Sequence, residues 1–275
     1  MPGILFVVAT PIGNLADASP RALEALRSAD LIACEDTRTT RTLLARYGIE
    51  TRTLALHEHN ERLASAKVLD LLQQGKTVAL VSDAGTPALS DPGALLVAEA
   101  HRAGIRVSPI PGPSAAAAAF SAAGFAGERF LFAGFLPSAA AARRKALEAL
   151  EADCPIIFYE APHRVVESVQ DLLARFGPER EIVVARELTK KFEEVARMKL
   201  ADAPAWLESN PQRVQGEFVL VLQPGPARAR HEIDAERVLT ALLEAMGPSE
   251  AAKVAAKITG LPRRLLYEKA LARGK

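Results

Sequence analysis

The chain has 275 residues, 49% apolar and 24% charged, enough to build a real core in one large or two ordinary domains. A formal net charge of +1 excludes a strongly basic protein, so any nucleic-acid partner must be met by local patches. Cys34 and Cys154 have no metal-ligand spacing and read as apolar fillers in a reducing compartment, and no stretch approaches the ~20 apolar residues of a membrane helix; a soluble, cytoplasmic protein is expected.

The opening run MPGILFVVAT lacks a basic leader and gives way to Pro-Ile-Gly, so 4–9 reads as a first strand, not a signal peptide. Residues 20–29 (PRALEALRSA) place leucines at helical spacing behind a Ser19 cap. Apolar 31–34 follows; then 62–74 is helical and stops at Gly75, and TVALVS (77–82) is a buried strand. Residues 95–103 form a helix ending at Gly104, and 105–110 another strand. Strand–helix–strand repetition of this kind predicts a parallel sheet with right-handed crossovers.

PIPGPSA (109–115) is a stiff joint with three prolines. The alanine-rich run after it is a helix or a low-complexity linker, and its apolar character and Gly124 stop favour the helix. Beyond it, RFLFAGFLP, PIIFYEAP, REIVVARELT and GEFVLVLQP are four strand candidates, with helical stretches at 140–151 and 165–176. This predicts a second α/β domain with a mixed sheet. PGPARAR (224–230) reads as a linker, and 235–275 holds two or three short helices with a basic end. The expected organisation is α/β: domains at 1–112 and 113–225, and a helical extension at 231–275.

Each strand of the first half ends in an unusual loop: ATPIGNLAD, CEDTRTTR, SDAGTPALSDPG and PIPGPSA. In a parallel sheet these loops share one edge, where ligands bind. They contain neither the Gly-Lys-Ser/Thr of a P-loop nor a G-x-G-x-x-G fingerprint. Glycine permits close backbone approach and proline stiffens the turn, while Asp83 and Asp91 offer hydrogen-bond acceptors. Sharp turns alone favour the same residues. As a binding site, such loops suit a cationic nucleoside without phosphates, of which S-adenosylmethionine is the common one.

VATPIGNLAD, EDTRTT, LHEHNE, LVSDAGTPALSDPG, PIPGPSA, FLFAGFLP, FYEAPHR, ARELTKKFEE and GEFVLV occur in that order. Together they resemble the tetrapyrrole-methylase superfamily of class III S-adenosylmethionine-dependent methyltransferases over nearly the whole chain. Within it they look like the branch that methylates the ribose 2′ oxygen of a cytidine in the decoding region of 16S rRNA, in the small ribosomal subunit. The resemblance implies a cofactor folded between two α/β domains, a homodimer, and no metal. It implies cofactor contacts from Pro11, Asp83, Ala84, Gly85, Thr86, Ser114, Ala115, Tyr159 and Leu188. The C-terminal PSEAAKVAAKITGLPRRLLYEKAL is similar to the family's helical extension; Lys253, Lys257, Arg263 and Arg264 either touch RNA there or decorate a packed helix pair.

Several polar residues carry two readings. Asp36 and Thr37 suit a helix cap, whereas Arg38 and Arg41 suit substrate phosphate. His57, His59, Asn60 and Glu61 are too few for a closed metal shell and read as a polar loop lining the cleft. His163, Arg164 and Lys191 are placed on the substrate side, and Trp206 in the core. Glu160, Glu187 and Lys190 are the candidate bases for the 2′ hydroxyl, the lysine only with a lowered pKa. Tetrapyrrole or diphthine-type methylation, or a non-catalytic RNA-binding module in ribosome assembly, are the competing functions.

Overall fold

In a computed structural model, residues 3–150, 153–225 and 230–273 are described. The chain divides into a body, Met1–Gln223, and a helical unit, Pro224–Lys275. Residues 226–229 of the expected linker lie outside the described residues.

The body opens with β1 (Ile4–Val8), α1 (Pro20–Ser28), β2 (Leu31–Cys34), α2 (Thr37–Arg46), β3 (Thr53–Ala55), α3 (Glu61–Gln73), β4 (Thr77–Val81), α4 (Ala94–Arg102) and β5 (Arg106–Ile110). The five strands form one parallel sheet in the order β3-β2-β4-β1-β5. Side chains alternate across it. Ile32, Ala79 and Val81 face α1 and α2 over Leu26 and Leu44, while Ala33, Val78 and Leu80 face α3 and α4 over Val68, Leu72 and Leu96. With both faces covered, the inner strands β1, β2 and β4 are nearly continuous apolar runs. Ser19 caps α1 as expected, its Oγ accepting from Ala22 N at 3.1 Å.

The body continues with α5 (Ala115–Ala123), β6 (Leu131–Phe135), α6 (Ala140–Glu148), β7 (Ile156–Glu160), α7 (Val165–Phe176), β8 (Glu181–Arg186), β9 (Glu194–Lys199), α8 (Ala203–Glu208) and β10 (Phe218–Leu222). The alanine-rich run is thus a helix, ending on left-handed Gly124. The second sheet is mixed, in the order β6-β7-β10-β8-β9, with only β6–β7 parallel. Ile157, Val183, Val219 and Val221 pack against Ala116, Ala119 and Ala123 of α5, whose small side chains permit close approach. Phe158, Val184 and Leu220 on the opposite face meet Val169, Leu172 and Leu207. Trp206 is only partly buried against this core, with the Arg213 guanidinium 4.2 Å from its ring centroid.

Three elements differ from the sequence reading. Strand β9 (EVARMK) adds a fifth strand to the second sheet. It lies at the sheet's edge, where solvent accepts charge at alternate positions and hides the apolar signal. Strand β3 is also an edge and is too short for a visible period. Helix α2 (TRTTRTLLAR) buries Thr40, Leu43 and Leu44 but reads as polar.

The helical unit comprises α9 (Arg230–Leu243), α10 (Pro248–Thr259) and α11 (Arg263–Arg273). Leu239, Ala251, Ala255, Leu266 and Ala270 form its core. Helix α10 ends on left-handed Gly260, and the Gly260–Leu261–Pro262 turn leads into α11, a helix-turn-helix spacing.

Candidate functional site

The parallel sheet delivers four loops to its carboxyl edge, and backbone and side-chain hydrogen bonds tie them to one another. Thr10 N donates to Gly85 O at 2.8 Å and Gly85 N to Thr10 O at 3.0 Å, an isolated antiparallel bridge. Thr86 Oγ1 donates to Pro113 O at 3.1 Å, and Asp83 Oδ1 accepts from Asp36 N at 2.9 Å. The 82–93 loop turns through left-handed Gly85 (φ 82°), Ala88 (φ 66°) and Ser90 (φ 65°). Non-glycine residues there cost on the order of 1 kcal/mol each, so the surrounding bonds must hold the loop in shape.

Facing this edge is the second sheet, and between them lies a cavity of about 350 Å³. Asp83, Ala84, Gly85, Thr86, Ser114 and Ala115 line it from the first side. Tyr159 and Leu188 line it from the second, where the Tyr159 hydroxyl accepts from Ala116 N at 3.3 Å. Of the residues expected around a cofactor, only Pro11 is outside the lining; its buried neighbour Ile12 takes that place. Phe135, Leu89, Phe218 and Glu217 also line the cavity and were missed. All four sit inside the motifs named above, but Phe135 and Phe218 looked like ordinary strand residues, Leu89 like a loop residue, and Glu217 like the polar start of a strand.

The charged side chains that line the cavity are acidic, and two of them, Glu160 and Glu217, are paired with cations behind the wall. Among the described residues, none lining it is Lys or Arg, while Asp83, Asp91, Glu160 and Glu217 all do. Burial raises the pKa of Asp91, with Asp83 adding repulsion. Burial likewise raises Glu35, reinforced by Asp91 and Asp83. Burial also raises the Tyr159 phenol, keeping it protonated. Crowded, partly desolvated carboxylates favour a cation and repel phosphate. The donor set therefore fits a sulfonium nucleoside with a free amino group.

The candidate bases lie in different settings. Glu160 is buried; it accepts from Arg164 Nε, Ser168 Oγ (2.6 Å) and Ala161 N (2.8 Å). Both of its oxygens are engaged, and Arg164 is turned onto it. Lys190 Nζ lies 2.9 Å from Glu187 Oε1 and 3.0 Å from Glu217 Oε2. Burial works against the Lys190 charge, but hydrogen bonds from Glu187 and Glu217 outweigh it and raise its pKa. A base needs the opposite shift, which counts against the lysine in that role. Burial would raise Glu187, yet Lys190 and the Glu217 N–H hold it below the usual carboxylate range.

The expected substrate contacts do not gather in the cavity. Arg38 is 88% exposed and folds back on Asp36, whose carboxyl it holds down at about 2 while Asp36 Oδ1 accepts from Arg38 N at 2.7 Å to cap α2. Arg41, His163 and Lys191 are exposed outside it, Lys191 Nζ lying 5.4 Å from the Phe192 ring centroid. The LHEHNE stretch serves structure: Glu61 Oε1 accepts from Gly93 N (2.8 Å) and Leu95 N (3.2 Å) at the start of α4, and Asn60 braces His57 N at 2.9 Å. That corrects Asn60 and Glu61 as lining residues.

The two-layered body and its acid-lined cleft define a methylase fold. The profile of the tetrapyrrole (corrin/porphyrin) methylases matches residues 5–204, and that of the RsmI C-terminal HTH domain matches residues 229–274. The chain belongs to the tetrapyrrole methylase family and, within it, to the group called ribosomal RNA small subunit methyltransferase I. A protein of that name from Pseudomonas aeruginosa is 49% identical over 275 residues, covering 98% of each chain. One from Escherichia coli O157:H7 is 47% identical, covering 98% of this chain and 95% of its own. Among solved structures, uroporphyrin-III-C-methyltransferase from Thermus thermophilus superposes with a TM-score of 0.58 at 20% identity, over 80% of this chain and 94% of that one. Diphthine synthase does so at 0.59 and 17%, over 80% and 90%. At such identities these two share the fold alone. No described helix is long and apolar enough to cross a membrane.

Proposed function

We propose that this protein transfers the methyl group of S-adenosylmethionine to the ribose 2′ oxygen of a cytidine in the decoding region of 16S rRNA, acting on the small ribosomal subunit as a homodimer. The observation that carries the reading is the cavity itself: acid-lined, without a basic side chain among its described residues, and walled by the bridged Thr10–Gly85 loops. The names of relatives 43–50% identical over nearly the full length support the RNA substrate. A solved uroporphyrin-III C-methyltransferase carries S-adenosylhomocysteine. In this reading 1–112 and 113–225 are the two walls, and 231–275 reaches RNA through Lys253, Lys257, Arg263 and Arg264, all exposed.

The bound cofactor supplies an already activated methyl group on a sulfonium. Asp83 and Asp91 would accept hydrogen bonds from its polar groups, Ala84 and Gly85 would offer backbone to it, and Phe135, Tyr159 and Leu188 would close the apolar side and exclude water. Alignment of donor and hydroxyl is then the main contribution, worth several kcal/mol on the order known for oriented reactions.

Two measurements test this. Calorimetric titration with S-adenosylmethionine should give saturable heat, with affinity weakened about 10–100-fold by Asp83→Ala. Incubation with labelled cofactor and small subunits lacking the modification should label one cytidine ribose. Heat without labelling would redirect the substrate towards a tetrapyrrole or protein; no heat at all would favour a non-catalytic assembly module.

A further inference from the structure

The cleft wall of the second sheet carries a construction that cofactor binding leaves unexplained. Glu187 (φ 50°) and Thr189 (φ 67°) are non-glycine residues in left-handed backbone, two within three positions. Such strain persists only where neighbours over-determine it. Here the neighbours are named. Gly216 (φ 91°) has no Cβ, and one built there would lie 2.5 Å from the Glu187 carboxyl carbon, so the glycine lets that side chain lie across it. Glu187 Oε1 then accepts from Glu217 N at 2.9 Å and from Lys190 Nζ at 2.9 Å. Lys190 Nζ closes the ring on Glu217 Oε2 at 3.0 Å. A Cβ on Gly13 would lie 2.4 Å from Lys190 Cγ, so the first loop of the parallel sheet presses on the lysine stem.

The result is one carboxylate at the cavity wall whose main chain is held by Glu187 and whose Oε2 is paired with Lys190. Glu217 lines the cavity, its side chain is 74% exposed, and no hydrogen bond to its Oε1 is present among the described residues. The other lining carboxylates have other employment: Glu160 is enclosed by Arg164 and Ser168, and Asp83 and Asp91 belong to the opposite loop. We propose that Glu217 is a catalytic residue that accepts the proton of the attacking ribose hydroxyl, with Glu187 and Lys190 as its positioning residues. The O–CH₃ bond forms as the S–CH₃ bond breaks, the electron pair returns to sulfur, and the hydroxyl proton passes to Glu217 Oε1. Lys190 stays an ammonium ion throughout.

The inference rests on the proposed function, and the experiment separates the two. Wild-type protein, Glu217→Gln and Glu217→Asp are compared for cofactor affinity by calorimetry, for melting temperature, and for kcat and KM on unmodified small subunits. Glu217→Gln should lower kcat by about a hundredfold or more with cofactor affinity, KM and melting temperature near wild type, and Glu217→Asp should recover part of the loss. A kcat within threefold of wild type, or a loss confined to KM, overturns the proton-acceptor role while leaving the methyltransferase reading intact. Wild-type protein that binds cofactor but modifies no subunit overturns both.

Discussion

The two walls of the cleft are made by opposite means. The first-sheet wall is mainly main chain: glycines, prolines and a short antiparallel bridge hold loops that carry Asp83 and Asp91. The second-sheet wall is side chain: Glu160 with Arg164 and Ser168, and Glu187 with Lys190 and Glu217, are interlocked. In the proposed reading the looped wall binds the cofactor and the ion-paired wall fixes directions for chemistry.

If this division of labour is right, variants of the two walls should fail differently. The largest effect is expected for Glu160→Ala. It leaves the Arg164 guanidinium largely buried without its partner, which should cost about 3–5 kcal/mol of folding stability by urea denaturation. Asp83→Ala, on the other wall, removes an exposed acceptor; cofactor affinity should fall about 10–100-fold by calorimetry, with stability changed by under about 1 kcal/mol. Lys190→Met should lower kcat on small subunits about tenfold with cofactor affinity unchanged, because it loosens Glu217 and touches no cofactor atom. A loss of affinity instead would erase the contrast between the walls.

A subtler effect follows from the raised Asp91 pKa. A carboxyl whose folded pKa is raised binds its proton more tightly in the folded state, so stability falls as pH rises from the unfolded pKa through the folded one. Asp91→Asn should therefore raise the melting temperature at neutral pH by about 1–2 °C, kept small by solvent screening, while weakening cofactor binding. Smallest is Arg38→Ala. Its pair with Asp36 is open to solvent, so stability should change by less than about 0.5 kcal/mol and subunit KM by no more than a fewfold.

The backbone wall was legible in the amino-acid sequence because turns restrict which residues fit. SDAGTP and PIPGPSA announce left-handed and proline-fixed backbone wherever they occur, and a parallel sheet can put them only on one edge. Lys190 was legible as a candidate, but its partners were not. ELTKK states its composition; the carboxylates that raise its pKa come from Glu187 nearby and Glu217 across the sheet. Glu61 misled for the same reason, since its partners at Gly93 and Leu95 are distant in the chain.

The sequence by itself determined the alternation of strand and helix, the parallel first sheet and the loops that rim the cleft. These depend on local backbone preference and on a period of apolar residues that neighbours in the chain display. Only the tertiary structure decided the edge strand β9, the closed pairing of Glu160 with Arg164, and the placing of Glu217 beside Lys190. The strand depends on its pairing with β8, the enclosure of Glu160 on where Ser168 falls, and Glu217 on which charges meet after folding; Coulomb energies follow distance in space, which residue order does not encode.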